Sequence, residues 1–477
     1  MAEDGSVDEA AFAPAPTQAA APEQAEATPV PAEEIAPNPF VDTAEDSFST
    51  FAVDVDTASY TQARNYLMNS GQLPPPSLIR PEEFINFFDQ DYPLPQDNAF
   101  NILMDAAPTP FSDTTVMRVG IQGFDVPDEE RTDSTLIFVV DVSGSMDNPN
   151  RLGAVQLALT TLVQNLRPTD RVGLVVYGST GRVITEPRNA DDPLLIEVIY
   201  NLQSEGSTNA EEGLRLAYEM ATANFDPSRI NRIILCSDGV ANVGATGPEA
   251  ILESVRLQAR EGITLTTVGF GMGSFNDFLM EQLANDGDGQ YFYVDSQAEA
   301  ERVFVEDLTG SLLTIARDAK VQVEFNPAVV EAYRLVGYEN RDIADEDFRN
   351  DEVDAGEIGA GHSVTALYEV VLSEQAQGDA IAATTFLRWE DPETGEVTEI
   401  QRSLTVNEFA ASFEEAAPRF RMTVAVAAFA DLLSGRAWAQ TADPELLLTI
   451  TDEVYGSTQD SDVAELRSMI ERYIQLR

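Results

Sequence analysis

The sequence predicts an α/β protein: a doubly wound, mostly parallel sheet inserted into a β-sandwich and followed by a C-terminal helical segment. Three observations predict it. The middle, residues 133–310, alternates short apolar runs with helical patterns, as buried parallel strands joined by crossover helices do. The stretches on either side, 97–132 and 320–406, alternate apolar and polar residues, as antiparallel strands do. The last stretch, 407–477, reads as helical, with Gly435 as a break.

The elements follow in order. Residues 1–46 contain 11 acidic residues and no basic one in an Ala/Pro/Glu background, the composition of a disordered, extended tether. Residues 47–96 read as a small strand–helix module. STFAVDVDTASY offers an alternating strand ending at Asp54 or Asp56, with Thr57 or Ser59 placed to cap the helix that follows. Pro74-Pro75-Pro76 is a break, and Arg80-Pro81-Glu82-Glu83 opens a second helix with proline in its first turn. In the middle region, strands are expected near 135–140, 171–177, 231–236 and 263–269, and helices near 151–165, 208–223, 248–260, 276–285 and 297–308. Asp391-Pro392-Glu393-Thr394-Gly395 supplies a hairpin turn.

Composition excludes several classes. With 82 acidic residues against 28 basic ones the formal charge is −54, and Lys320 is the only lysine. Such a surface repels nucleic acid and anionic lipid, and suits divalent cations, basic partners or a saline medium. The single cysteine, Cys236, excludes an internal disulfide; its apolar surroundings Ile233-Ile234-Leu235 predict a buried structural thiol. With one histidine, His362, neither a Cys/His metal site nor a Ser/His/Asp set is expected, and a turn or interface role is. Met422–Leu433, the longest apolar run, is shorter than the roughly 18 residues of a membrane span. The N-terminus has neither the basic nor the hydrophobic region of an intact signal peptide, so a signal or lipid anchor is expected, if anywhere, upstream of the tether.

The chemistry concentrates where the first apolar run of the middle region ends. In FVVDVSGSMDNPN, Asp141-x-Ser143-x-Ser145 follows Phe138-Val139-Val140. Ligands of open α/β sheets bind outside the carboxyl ends of the strands. There Gly206-Ser207-Thr208-Asn209 and the Asp238-Gly239 turn after Leu235-Cys236-Ser237 should meet it. Two carboxylates and three hydroxyls are hard oxygen donors, suited to Mg²⁺, Mn²⁺ or Ca²⁺. Asp141 or Thr208 alone would read as a helix N-cap; five residues converging from three loops read as a metal site. Asp54-x-Asp56-x-x-Ser59 mimics a metal loop but reads better as capping. Gly269-Phe270-Gly271-Met272-Gly273 lacks the third glycine of a dinucleotide loop. Ser143 stands where a haloacid-dehalogenase-like phosphatase needs a second carboxylate.

Asp141, Ser143, Ser145, Thr208 and Asp238 resemble the metal-ion-dependent adhesion site of von Willebrand factor type A domains. STFAVDVDTASY and DAGEIGAGHSVTALYEV (354–370) are similar to segments flanking such a domain in a bacterial group. Its members often carry a calcium-activated chloride channel homologue label, and many are envelope lipoproteins. The resemblance spans 47–477. It implies a non-enzymatic protein in which Mg²⁺, or Mn²⁺ or Ca²⁺, binds those five residues and a partner protein's Asp or Glu fills the open metal position. It also implies a periplasmic or cell-surface location, with the cytoplasm as the alternative. Two other functions stay open: an envelope scaffold with an idle metal site, and a metal-dependent hydrolase, for which Glu211 and Glu212 are the nearest candidate bases.

Overall fold

The computed structural model describes residues 36–477 other than 54–55, 97, 128–130, 149, 240–247, 272–276, 308–312, 340, 352, 354 and 393. Strands are numbered along the chain. Before the insert come β1 (Val41–Asp42), β2 (Phe48–Ala52), β3 (Phe100–Pro108) and β4 (Thr115–Gly123). The insert contributes β5 (Ser134–Asp141), β6 (Arg171–Tyr177), β7 (Gly181–Asn189), β8 (Ile230–Ser237), β9 (Ile263–Phe270) and β10 (Tyr291–Val294). After it come β11 (Thr314–Phe325), β12 (Val330–Val336), β13 (Gly356–Gly359), β14 (Ser363–Leu372), β15 (Ile381–Glu390) and β16 (Val397–Thr405).

The flanking strands form two antiparallel sheets, one ordered β1-β12-β14-β4-β3, the other β13-β11-β15-β16 with β2 also paired to β11. Ile102, Met104, Val119 and Ile121 of the first meet Val321, Val323, Leu387 and Trp389 of the second in one core. The first sheet is covered on its other face as well. Val116, Val336 and Leu367 pack there against the helix Pro81–Asn86 and the C-terminal helices Pro418–Ser434, Pro444–Thr458 and Ser461–Leu476. That is why β4 is buried along its whole length. The apolar run Met422–Leu433 is buried throughout in this layer, and no helix among the described residues is long and apolar enough to cross a membrane.

Several expectations are corrected here. The tether was expected to run to residue 46; residues 1–35 lie outside the described residues, and the segment after them is bound. Asn38 Nδ2 donates to the carbonyls of Leu335 (3.2 Å) and Gly337 (2.8 Å), and Thr43 Oγ1 to that of Val330 (2.6 Å). Side-chain donors thus tie this stretch to β12, with which β1 pairs. The strand expected to reach Asp54 or Asp56 ends at Ala52 (Asp54 lies outside the described residues), and it is part of the sandwich: Ala52 pairs with Lys320 and Phe48 with Glu324. Neither Thr57 nor Ser59 caps the helix Ala58–Arg64. The buried Glu83 of the second helix accepts the Ser59 N–H at 2.7 Å, while Ser59 Oγ donates to the Leu78 carbonyl at 2.6 Å. A carboxylate brought in by tertiary packing has displaced the local hydroxyl. The sandwich resumes at Thr314, before residue 320, because β11 extends back to pair with β13.

The insert is a six-stranded sheet ordered β10-β9-β8-β5-β6-β7, parallel except for β7. Four of its strands fall where the apolar runs place them. The other two, β7 and β10, are the sheet's edges. Strand β7 is largely solvent-exposed and β10 has four residues, so neither carries a long apolar run. The helix expected over 297–308 is α-helical over Gln297–Glu301 and continues as a wider π-turn over Arg302–Asp307.

Edge β10 is covered from outside the insert, as exposed edges need to be. Asp56 Oδ1 accepts the Tyr291 N–H at 2.8 Å, Gln62 Nε2 donates to the Tyr291 hydroxyl at 3.0 Å, and Asn65 Nδ2 to that of Tyr293 at 2.9 Å. Arg64 reaches Asp295 Oδ2 at 2.8 Å, Glu299 Oε2 at 2.9 Å and Glu465 Oε1 at 2.8 Å, joining insert, N-terminal helix and C-terminal helix. Arg302 lies 3.7 Å over the Phe87 ring. His362 sits at an interface: its carbonyl accepts the Gly123 N–H at 2.9 Å and its Nδ1 is 3.5 Å from Gln290 Nε2 of the insert. Cys236 is buried, which pushes its thiol pKa up.

At the amino ends of β5 and β6, Asp170 is fully buried. It accepts from Arg131 Nη2 (2.7 Å), the Ser134 N–H (2.7 Å), Ser134 Oγ (2.9 Å) and the Arg167 N–H (3.0 Å). Burial alone would raise its pKa; the hydrogen bonds from Arg131 and Ser134 outweigh it and hold the carboxyl below the usual range. A depressed folded pKa means that the unfolded chain binds the proton more tightly. The stabilisation is therefore complete above the ordinary value of about 3.9 and is lost as pH falls through the folded value. Asp170→Asn leaves a buried guanidinium unpaired and should cost about 3 kcal/mol at pH 7. Urea unfolding should show the gap from wild type closing below about pH 4; a gap constant with pH would mean that the aspartate charge is not what matters.

Candidate metal centre

Strand β5 lies between β6 and β8, parallel to both, with Asp141 opposite Tyr177 and Val140 opposite Cys236. Its carboxyl end therefore lies between the carboxyl ends of β6 and β8. Asp141, the last residue of β5, is wholly buried. Its Oδ1 accepts the Ser143 N–H at 2.7 Å and its Oδ2 accepts Ser237 Oγ at 3.1 Å. This closes a tight loop that continues as a single 3₁₀ turn over Gly144–Met146. Ser143 Oγ and Ser145 Oγ are 2.9 Å apart, so the i, i+2 spacing does bring both hydroxyls together. Ser145 Oγ donates in turn to Asp238 Oδ1 at 3.1 Å.

The second loop is laid against the first. The Glu205 N–H donates to the Val142 carbonyl at 2.5 Å and the Gly144 N–H to the Gly206 carbonyl at 3.0 Å. Gly206 has φ +70°, and a Cβ there would lie 2.0 Å from Ser179 Oγ, so this close approach requires glycine. Thr208 follows two residues later, half-buried, and its hydroxyl makes no hydrogen bond with another described residue. It does not serve as the helix cap, because Asn209 Oδ1 accepts the Glu212 N–H and takes that role for Ala210–Ala223. Four of the five predicted residues are thus linked by direct hydrogen bonds through Asp141, Ser143, Ser145 and Asp238; Thr208 lies on the loop packed beside them.

Both carboxylates have pKa values raised from the usual range. For Asp141 the cause is burial first, with the nearby Asp238 charge adding to it against the hydrogen bonds from Ser143 and Ser237. For Asp238 it is again burial, opposed by the Ser145 hydroxyl and Arg151. Two carboxylates raised by burial, beside the buried Ser143 hydroxyl and the exposed Ser145 hydroxyl, form a site that a hard divalent cation would relieve. No group of three or more His, Cys, Asp or Glu side chains among the described residues is placed to hold a metal. A cation at this edge would therefore depend on the hydroxyls as much as on the carboxylates.

Three residues of the site went unassigned in the sequence. Ser237, the last residue of β8, bonds Asp141 as just described. Tyr177, opposite Asp141, has a buried hydroxyl without a partner of normal geometry. Arg151 opens the helix Leu152–Asn165 and pairs with Asp238 Oδ2 through Nη1 at 2.6 Å. Its only sequence signal is a basic residue ten positions after Asp141. Among the motifs set aside, Asp56 accepts Tyr291 and Arg341 and holds the edge of the insert. Gly271 follows β9 with φ +82°, and Met272 and Gly273 lie outside the described residues.

Comparison with known proteins agrees with this architecture. The family model for the von Willebrand factor type A domain matches residues 136–240. A model described as von Willebrand factor matches 31–118, the segment of β1 to β4 and their helices. A model for the C-terminal region of the uncharacterized protein YfbK matches 310–476. The uncharacterized protein YfbK of Escherichia coli is 40% identical over 348 residues, 71% of this chain and 60% of its own length. The uncharacterized protein sll0103 of Synechocystis is 24% identical, over 56% of this chain and 64% of its own. Human inter-alpha-trypsin inhibitor heavy chain H3 is 27% identical over 50% of this chain and 28% of its own. The chain thus spans less than two thirds of the length of each of these relatives. A solved von Willebrand factor type A protein from Catenulispora acidiphila is similar with a TM-score of 0.43 and 15% identity, over 71% of this chain and 88% of that one. By these family-model matches the chain carries a von Willebrand factor type A domain at 136–240, within the six-stranded insert and its loop of aspartate and serines, and a C-terminal region of the YfbK type at 310–476.

Proposed function

We propose that this protein is a metal-dependent binding module: Asp141, Ser143, Ser145, Thr208 and Asp238 hold one Mg²⁺, with Mn²⁺ or Ca²⁺ as alternatives, and the site captures an Asp or Glu side chain of a partner protein. The observation that carries the reading is Asp141, a wholly buried carboxylate at the end of a central strand, beside a second carboxylate and two touching hydroxyls. Type A domains are often protein-interaction and adhesion modules. A bound divalent ion would supply an electrophilic centre. The protein's own contribution is to keep the hydroxyls paired and neutral, so that the ion stays under-neutralised and open to an anion. Bridging through a cation also lets a chain of charge −54 dock a carboxylate that its surface would otherwise repel. A cell-envelope location is part of this reading, and fractionation would test it.

The hydrolase alternative finds little to use. Glu212 is committed to structure, its Oε2 accepting the Gly181 N–H at 2.8 Å and Asn209 Nδ2 at 3.2 Å. A turnover that is lost in Ser143→Ala would nonetheless favour it over binding, and partner capture insensitive to chelator would favour the idle-site scaffold.

Two outcomes are expected. Calorimetric titration of Mg²⁺ at physiological salt should show one saturable site in the wild type that is missing in an Asp141→Ala/Ser143→Ala double mutant, whose acidic surface sets the diffuse baseline. Identical titrations would remove the metal site. Gly206→Ala should lower stability by about 1 kcal/mol or more, since it forces a side chain into a left-handed, filled position, and should weaken Mg²⁺ binding with it. Unchanged affinity in a destabilised Gly206→Ala would show that the second loop is not part of the site.

A further inference from the structure

We propose that Arg151 is an internal competitor for the cation: its guanidinium latches Asp238 and Ser145 in the metal-free site, so that metal occupancy is set by exchange between the two. This rests on the metal-site reading above and adds to it the group that tunes it. Arg151 Nη1 sits 2.6 Å from Asp238 Oδ2 and 2.7 Å from the Ser145 carbonyl. Those are the last two members of the chain Asp141–Ser143–Ser145–Asp238. The side chain is about one-fifth exposed and Asp238 nearly buried. A charge pair in that setting is weakly screened by salt and strongly felt. The position is built. Arg151 is the residue before the helix Leu152–Asn165, and its N–H is held by the Asn148 carbonyl at 3.0 Å. Its stem passes over Gly271, where a Cβ would come within 2.5 Å of Nε. A glycine with φ +82° thus leaves the groove through which the guanidinium reaches the site.

Asp238 then has two tasks that oppose each other. Its Oδ1 fixes the Ser145 hydroxyl and its Oδ2 holds Arg151. A divalent ion entering among Asp141, Ser143 and Ser145 brings positive charge close to an existing positive charge on the same carboxylate. The arginine keeps two buried carboxylates from repelling each other when the ion is absent, and it lowers the affinity when the ion arrives. A module with such a latch loads at a cation concentration higher than its donor set alone would require.

The test is calorimetric titration of MgCl₂ into the full chain carrying Arg151→Gln or Arg151→Lys, alongside wild type and the Asp141→Ala/Ser143→Ala baseline, with thermal unfolding measured without and with saturating Mg²⁺. Arg151→Gln should bind Mg²⁺ about tenfold more tightly and unfold at a lower temperature without Mg²⁺, the deficit closing at saturation. Arg151→Lys, which keeps the charge, should restore the weaker binding. Affinity unchanged or weakened in Arg151→Gln would overturn the proposal and leave Arg151 as a positioning residue for Asp238. If wild type and Arg151→Gln both match the double-mutant baseline, the metal reading falls and the latch with it. A site that appears only in Arg151→Gln would support both.

Discussion

The site depends on the register of one strand. Strand β5 is hydrogen-bonded in parallel to β6 on one side and β8 on the other, and that register decides which side chain its final residue presents. A slip of one residue would put Val140 or Val142 where Asp141 stands. The register is set at the far end of the strand. Asp170 gathers the Ser134 N–H and hydroxyl together with Arg131, and Arg229 Nη2 donates to the Ser134 carbonyl at 2.8 Å. Polar locks at the amino ends and apolar packing along the strand deliver a charged group to the carboxyl end.

The insert is held by groups that it does not contain. Asp56, Gln62, Arg64 and Asn65 all precede it in the sequence, and Glu465 follows it, yet they cover β10 and the segment after it. The Glu299 carboxyl, buried between Arg64 and Arg302, has its pKa raised by burial in spite of both arginines. This junction is ionic and desolvated, the kind of contact that is costly to leave half-made. It fixes one edge of the sheet.

Most of this architecture was readable because burial writes itself into composition. Four interior strands of the insert are near-continuous apolar runs, and the sandwich strands alternate. What escaped lay at edges and across distance. Strand β7 escaped because it is exposed, and β10 because it is short. Thr57 and Ser59 looked like caps because capping is local, and the actual acceptor, Glu83, arrives from a different helix. At the site, the aspartates and serines were legible because hard donors at i, i+2 after a buried strand have few other uses. Arg151 was not, since nothing in a lone arginine at a helix start announces a partner 87 residues away.

The insertion has a consequence for the order in which the molecule assembles. Strand β4 pairs with β3 at once, but its other neighbour, β14, lies beyond the whole insert. The insert's own sheet is complete once β10 is made. Its strands close over short crossovers, whereas the sandwich must close over the whole intervening segment. A folded insert shortens that closure, because it gathers the chain between β4 and β11 into a fixed body. During synthesis the parallel sheet should therefore form first and act as the template on which β11 to β16 find β3 and β4. The helix Pro418–Ser434, buried along Met422–Leu433, must wait for that surface, and the helices Pro444–Thr458 and Ser461–Leu476 complete the same layer after it.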